Sequence, residues 1–536
     1  MTEEGRAYMK AQKLDLQKTS LGIEFGSTRI KGILIDSKYR PIAVGEFNWE
    51  NKYENGLWTY SLEELWEGIQ FVFKSISKQI HHKYGKTLST IGSIGISAMM
   101  HGYLPFDKEG NQLTAFRTWR NTNTDEAARE LTTLFKFNIP HRWSIAHLYQ
   151  AILNKEEHVN EIDHINTLAG YVHWRLTGEK ELGVGDASGV FPIDVSKGNY
   201  DERMLDHFNR LVSKESLPWQ VEEVLPKIKY AGECAGRLTE EGARLLDPSG
   251  SLEAGIPFAP PEGDAGTGMV ATNSIRKFSG NISAGTSIFS MTVLGQPLSN
   301  YYKEIDVVTT PAGDPVAMVH CNNFTSDIND WLSMFAEMIH LFGLEVGSST
   351  LYETLFKKAM EADEDTGGIT VCSYYAGEPI TNFQEGRPLI VRKPNSNLNV
   401  ANFMMSHIFS ALATLRIGMD ILTEKEAIQI DFFNGHGGFF KTENVGQQIM
   451  ADALQVPVTT LETAGEGGAW GASILAAYVV RKQKGESLED FLNNEVFNLA
   501  ETSLKLPKEE GVNSFNQYLK RYQAILEVER AAVEYY

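Results

Sequence analysis

Two short turns carry the first recognisable chemistry in this sequence. Gly26-Ser27-Thr28 separates the alternating residues Leu21, Ile23 and Phe25 from the apolar run Ile30–Ile35, with Lys31 just beyond the turn. A tight strand-to-strand turn of this kind presents successive N–H groups and two hydroxyls to a terminal phosphate, and Lys31 adds positive charge nearby. Gly285-Thr286-Ser287 repeats the pattern between Phe278–Ser283 and Ile288–Leu294. Either turn alone is equally an ordinary hairpin; as a pair they suggest two loops gripping one phosphate chain. Asp264 opens a run of small residues (Ala265, Gly266, Gly268, Ala271) that can form a helix. A carboxylate at a helix start is stabilised as the anion by roughly 0.3–1 kcal/mol, and it can accept a hydroxyl proton during phosphoryl transfer. A plain helix cap is the alternative for such an Asp.

Three further clusters have ligand chemistry. Met100-His101-Gly102 follows the buried run Ile91–Ser97, at the strand end where open α/β sheets place ligand contacts. His101 can hydrogen-bond a sugar hydroxyl or serve as a core histidine. Trp119-Arg120-Asn121 joins a flat apolar face to polar donors, which suits carbohydrate or the end of a core strand. Gly437 and Gly438, within Gly435-His436-Gly437-Gly438-Phe439 after an expected strand Ile428–Phe433, let a base or ribose approach the backbone; a loop needing positive φ has the same composition. The small-residue helix led by Glu466-Gly467-Gly468 reads as close packing without a ligand role. No GxxxxGK motif, no GxGxxG after a strand and no HExxH among the 13 histidines is present, which speaks against P-loop, Rossmann and zincin chemistry.

These residues need a scaffold to hold them. Three strand-like runs (Leu21–Phe25, Ile30–Ile35 and Ile42–Trp49) lead into a helical pattern from Ser61, with Leu62, Leu65, Trp66, Ile69, Val72, Phe73 and Ile76 on one face. Ser61 and Glu64 form a capping-box signature. From about Asp125 to Leu252 the chain reads as mainly helical, broken by glycines between Gly183 and Gly189. After Asn273 the strand–turn–strand texture restarts, which suggests a duplicated α/β architecture of residues 1–273 and 274–536. Val400–Leu422 and Phe515–Val533 read as core-packing helices. The aromatic residues Phe515, Tyr518 and Tyr522 would face either their own half or a second copy in a homodimer.

Composition narrows the classes. With 49 Lys+Arg against 69 Asp+Glu in 536 residues, the formal charge is −20. That balance disfavours nucleic acid or anionic membrane as a partner, though backbone amides can still hold a nucleotide. At 42% hydrophobic and 22% charged, the chain has the composition of folded domains. Three scattered cysteines (Cys234, Cys321, Cys372) fit neither a disulfide scaffold nor a cysteine zinc site. The opening residues lack a signal-peptide core, and the apolar run Ala472–Val480 is too short to cross a bilayer, so a cytoplasmic enzyme is the expectation.

Together these motifs resemble the FGGY family of carbohydrate kinases, within the sugar kinase/actin-like ATPase superfamily. Residues 22–28 are similar to the family's first phosphate loop, Asn281–Ser287 to its second, and Gly263-Asp264 to the pair carrying its catalytic base. Met100-His101-Gly102, Leu176-Thr177-Gly178-Glu179 and Asp186-Ala187-Ser188-Gly189 resemble its xylulokinase-like branch, where Met-His-Gly contacts the ketose. Gly437-Gly438, Ala451-Asp452 and Gly471-Ala472 follow its adenosine-site pattern. Glu24 stands where the family usually has Asp near the magnesium. The resemblance implies two actin-like, ribonuclease H-like α/β lobes with a cleft between them, a sugar on the first lobe and ATP with Mg²⁺ mainly on the second. It implies transfer of the γ-phosphate to a ketose hydroxyl, with Asp264 as base. A non-catalytic sugar-binding regulator and an actin-like ATPase are the alternatives on the same fold.

Overall fold

The alternation at the start of the chain folds as a hairpin, β1 (Ser20–Phe25) and β2 (Arg29–Ile35), in a computed structural model that describes residues 14–442, 444–461 and 467–536. By its contacts the chain divides into two units. The first comprises Met1–Ile275, Val307–Val316 and Glu466–Leu499; the second comprises Arg276–Asp306, Ala317–Gly465 and Ala500–Tyr536.

In the first unit, β3 (Pro41–Asn48), β4 (Ser93–Ala98) and β5 (Glu262–Gly263) complete a sheet ordered β5-β4-β1-β2-β3. β1 runs antiparallel to β2 and parallel to β4, and β5 runs parallel to β4. Helix α1 (Leu62–Tyr84) starts where Ser61 Oγ accepts from the Glu64 N–H at 3.3 Å and ends at Gly85, whose φ of 64° is left-handed. Its buried stripe of Leu65, Ile69, Val72, Phe73 and Ile76 packs on one sheet face. The opposite face receives helix α3 (Gly468–Arg481), with helix α2 (Asp264–Ala271) lying against α3. Glycine makes that approach possible: a Cβ on Gly22 would lie 2.0 Å from Ala469 O, and one on Gly95 would lie 2.3 Å from Ala472 O. The close fit explains why Glu466–Leu499 joins the first unit although it follows most of the second in sequence. The stretch expected to be mainly helical does carry helices, such as Asp125–Phe135 and Glu202–Val212. It also carries short paired strands, Glu181–Gly183 with Lys227–Lys229 and His164–Asn166 with Leu104–Phe106.

The second unit is built on a hairpin of β6 (Ser279–Ala284) and β7 (Ile288–Val293). With β8 (Pro315–Cys321), β9 (Phe432–His436), β10 (Val458–Leu461) and β11 (Thr502–Lys505), the strands lie in the order β8-β7-β6-β9-β10-β11. The expected strand Ile428–Phe433 begins later, at Phe432, and so takes Gly435 and His436 into the sheet. Helix Val400–Asp420 is buried along most of its length. The stretch Val400–Lys425 is apolar and long enough to cross a membrane by composition, yet 78% of its apolar window is buried inside the protein. Helix α4 (Glu509–Tyr535) buries Phe515, Tyr518 and Tyr522 within its own unit. The Tyr518 hydroxyl donates to Ser406 O at 2.8 Å and accepts from the Val371 N–H at 3.1 Å. Of the two placements open from sequence, this aromatic face takes its own half.

Candidate active site

The first glycine–hydroxyl turn is held from behind. Gly26 N donates to Arg29 O, closing the hairpin. Trp49 Nε1 donates to Gly26 O at 2.7 Å, Tyr60 Oη donates to Ser27 O at 2.7 Å, and the Trp49 N–H takes Thr28 O at 3.2 Å. The Trp49 and Tyr60 rings stack at 4.2 Å, so one aromatic pair ties back three successive carbonyls. Ser27 and Thr28 remain exposed to solvent. The second turn is held in the same way by a single residue: Thr325 Oγ1 donates to Gly285 O at 2.7 Å and the Thr325 N–H donates to Thr286 O at 3.3 Å. Gly285 and Thr286 are likewise exposed.

Glu24 lies opposite Lys31 in the β1–β2 register, on the face covered by α3. Its Oε2 accepts from the Ala469 N–H at 3.1 Å, in the first turn of α3, where the helix dipole favours an anion. Burial, followed by repulsion from Asp264, pushes the Glu24 carboxyl above its ordinary range; the Ala469 amide and the charges of Lys31 and Arg29 pull the other way. Asp264 is the first residue of α2 and its cap is Gly263, so Asp264 is not itself the cap. Its Oδ1 accepts from the Met100 N–H at 3.3 Å. Surrounding protein pushes this carboxyl up while the Met100 amide lowers it, and its side chain is open to solvent, which limits the rise.

His101 follows Met100 directly with a φ of 68°, a left-handed value that costs a non-glycine residue about 1–3 kcal/mol. Its buried ring stacks on Trp143 at 6.1 Å and its Nδ1 lies 3.2 Å from Gly189 O. That carbonyl requires the hydrogen on Nδ1, which leaves Nε2 as an acceptor. Burial, aided by Arg142, lowers the pKa to about 3, so the ring is neutral. Gly102, at φ 96°, has no room for a side chain against Arg117 O.

Of the Trp119-Arg120-Asn121 cluster, Trp119 is exposed and the Arg120 guanidinium lies 3.6 Å over the Trp58 ring. Asn121 is buried and spends both amide hydrogens on Trp58 O (2.8 Å) and Thr118 O (3.1 Å), while its Oδ1 accepts from the Trp58 N–H at 2.9 Å. Its side chain fastens the loop rather than offering free donors. In the second unit Gly437 has φ 107° and a Cβ there would lie 2.3 Å from Ala284 O, whereas Gly438 has open space around it. Phe439 is buried against Phe324 and Phe356, as part of the core.

Sequence reasoning named Asp186 only within its Asp-Ala-Ser-Gly segment and missed Glu262; the charge of Asp264 acts on Asp186, and that of Asp186 on Glu262. Glu262 is buried and accepts from the N–H groups of Gly185 (3.3 Å) and Asp186 (2.9 Å). Asp186, fully buried, accepts from Thr167 Oγ1 at 2.6 Å. Burial first, then the charge of Asp264, raises Asp186 to about 7 against the Thr167 hydroxyl; burial pushes Glu262 well up. The 183–189 turn therefore joins the strand that leads into Asp264, through Glu262, to His101, through Gly189. The glycines at 183 and 185 were the available signal, since a Cβ at either would collide with the Glu262 carboxylate.

Two α/β units, each opening its sheet on a hairpin with a tied-back glycine–hydroxyl turn, define the sugar kinase/actin-like class of phosphotransferases. Residues 19–271 match the N-terminal domain, and residues 280–480 the C-terminal domain, of the FGGY family of carbohydrate kinases. The chain belongs to that family, whose members use ATP, and it is a carbohydrate kinase. It is 23% identical over 530 residues to the xylulose kinase of Haemophilus influenzae, covering 94% of this chain and 98% of that one. In fold it is similar to the ligand-bound xylulose kinase of Lactobacillus acidophilus (TM-score 0.77, 17% identity, 95% and 97% of the two chains). It is nearly as similar to gluconate kinase from the same organism (TM-score 0.76, 16% identity, 95% and 98%). The backbone fold is thus common to kinases named for different sugars.

Proposed function

We propose that this kinase phosphorylates a ketose, and that the ketose is a pentulose, xylulose before ribulose. The observation that carries this reading is the Met100-His101 step. Met100 donates its backbone N–H to Asp264, and the next residue presents a neutral imidazole whose Nε2 can accept from a sugar hydroxyl. A polyol-binding loop and a base are thereby fixed to each other by a single peptide. Asp264 accepts the proton of the attacking hydroxyl, as a solvent-reachable carboxylate can. Met100, His101 and Gly102 contact the sugar, with the Trp119 ring and the Arg120 guanidinium at its edge and Asn121 holding that loop to Trp58. The amides and hydroxyls of Gly26-Ser27-Thr28 and Gly285-Thr286-Ser287 hold phosphate oxygens, with Lys31 adding charge. Gly437 and Gly438 admit the nucleoside.

Magnesium suits the residues present. Asp264 repels the Glu24 carboxylate, and Glu24 would hold a divalent cation whose charge would relieve that repulsion. Among the described residues no cluster of three or more His, Cys, Asp or Glu forms a ligand set, so phosphates and water would supply most of its coordination. When bound, the ion neutralises charge on the transferred phosphoryl group.

Coupled ATP turnover on ketopentoses, ketohexoses, polyols and sugar acids tests the proposal. Turnover of a hexulose, polyol or sugar acid with none on any pentulose overturns the substrate and keeps the kinase. Sugar binding without turnover of any acceptor points instead to a sugar-binding regulator.

A further inference from the structure

Behind the second turn lies a pair of buried titratable groups that the reaction above does not use. Thr325, which ties back Gly285 and Thr286, precedes helix Ser326–Leu341. At the second residue of that helix, Asp327 Oδ2 faces His407 Nε2 at 3.5 Å. The side chains are 6% and 1% exposed, and neither facing atom has a hydrogen-bond partner among the described residues. His407 lies on helix Val400–Asp420, and its Nδ1 sits 2.7 Å from Phe403 O. That carbonyl demands the hydrogen on Nδ1, so Nε2 of a neutral ring is a bare lone pair. A lone pair directed at a carboxylate oxygen, walled by the Trp331 and Phe403 rings, is repulsive, and one proton between the two atoms turns it into a hydrogen bond.

We infer that Asp327 and His407 share one proton and act as a positioning pair, locking the start of helix Ser326–Leu341 to helix Val400–Asp420 and so setting Thr325 and the Gly285–Ser287 loop for nucleotide phosphate. The inference rests on reading that loop as a phosphate site. Burial, with some help from Asp330, raises Asp327 to about 6, against the Trp331 and Tyr375 side chains; burial lowers His407 to about 4. The other titratable groups around the pair are Asp330, Tyr375, whose hydroxyl donates to Asp330 at 2.6 Å, and buried Cys372. A raised carboxyl keeps its proton at low pH and loses it as pH rises through the folded-state value, so the lock and the nucleotide affinity it supports weaken upward from about pH 6.

Calorimetric binding of ADP at about pH 6, 7 and 8 tests this without a sugar. Asp327→Asn supplies an N–H to Nε2 that does not titrate: it should bind ADP within about twofold of the wild type at the lowest pH and lose the weakening above it. His407→Leu should bind roughly tenfold more weakly at the lowest pH. Wild-type pH dependence in Asp327→Asn, or wild-type affinity in His407→Leu, overturns the pair. If His407→Leu fails to fold, the pH series on Asp327→Asn decides alone. Gly285→Val, where a Cβ meets nothing nearer than Ser287 O at 3.9 Å, separates the two readings. Unchanged ADP affinity there removes the loop as a phosphate site; weakened affinity there with unaffected pair variants removes only the pair.

Discussion

Glu24→Gln separates a metal-directed carboxylate from a structural one. The glutamine Oε1 can still accept from the Ala469 N–H, which Glu24 takes at 3.1 Å, so the sheet-to-helix contact survives. What is lost is the attraction of an anion to the start of α3, about 0.3–1 kcal/mol and up to about 2 in a partly buried setting. What is relieved is the burial and Asp264 repulsion that hold the Glu24 carboxyl above its usual range. The two oppose each other, so the net change should stay within about 1 kcal/mol, or about 2 °C or less in melting temperature for a unit this large. Removing a carboxylate from the magnesium, by contrast, should raise the concentration for half-maximal turnover by at least about tenfold. Thermal unfolding and a magnesium titration of turnover are the assays. Glu24→Ala, which also drops the amide hydrogen bond, should lose a further 0.5–1.5 kcal/mol or so. Linkage adds a check: with its folded-state pKa above the ordinary 4.5, Glu24 makes the wild type lose stability as pH rises through that interval, and the Gln variant should lack this loss. A Gln variant that melts far lower with an unchanged magnesium curve would refute the reasoning and return Glu24 to the fold.

Asp264→Asn should keep the Met100 contact and nucleotide binding yet turn over at least about 10²-fold more slowly; near-normal sugar phosphorylation would remove it as the base. His101→Ala should raise the sugar KM roughly several-fold with little change for ATP, whereas equal damage to both constants would assign the ring to packing. Asp186, raised from 3.8 to about 7, costs the folded state roughly 4 kcal/mol at 1.36 kcal/mol per pH unit once both states are ionised. Asp186→Asn should therefore flatten the fall in melting temperature between about pH 4 and 7, and a variant as pH-sensitive as the wild type would show that the carboxyl ionises without penalty.

Local pattern made much of this fold readable. Period-two alternation marked β1 and β2, and the Ser61 cap with its heptad-like apolar stripe marked α1. The glycine–hydroxyl turns were visible because small residues and strand flanks lie within a few positions of each other. The partners of these pieces were not visible. Nothing near Gly22 announces that its open face awaits Ala469, and the small residues of α3 fitted close packing without naming the surface packed. Glu262 looked like an ordinary polar residue next to Gly263, because its work is done on backbone amides some 76 positions earlier in the chain. Asn121 reads in the sequence only as a polar donor, because its partners, Trp58 and Thr118, can be known only once the loop has closed. Side-chain chemistry is written locally, whereas its saturation by distant backbone is not.

The seat of Glu24 has a consequence for how the molecule comes into being. The carboxylate and the amide it meets are separated by 445 residues, and most of the second unit is encoded between them. At a ribosomal pace of about 5–20 residues per second, that interval lasts roughly 20–90 s. For that time the face of the nascent sheet bearing Gly22, Glu24 and Gly95 has no helix to cover it, although β1, β2 and β4 are already made. A sheet left without its second layer for so long, with Gly22, Glu24 and Gly95 open to solvent, is a natural target for chaperones and proteases, and the window closes only when Gly468–Arg481 emerges. The carboxylate at the first turn thus marks one of the last contacts of the first unit to form, so a pause or a premature stop before that helix would leave the earliest-made part of the protein unfinished.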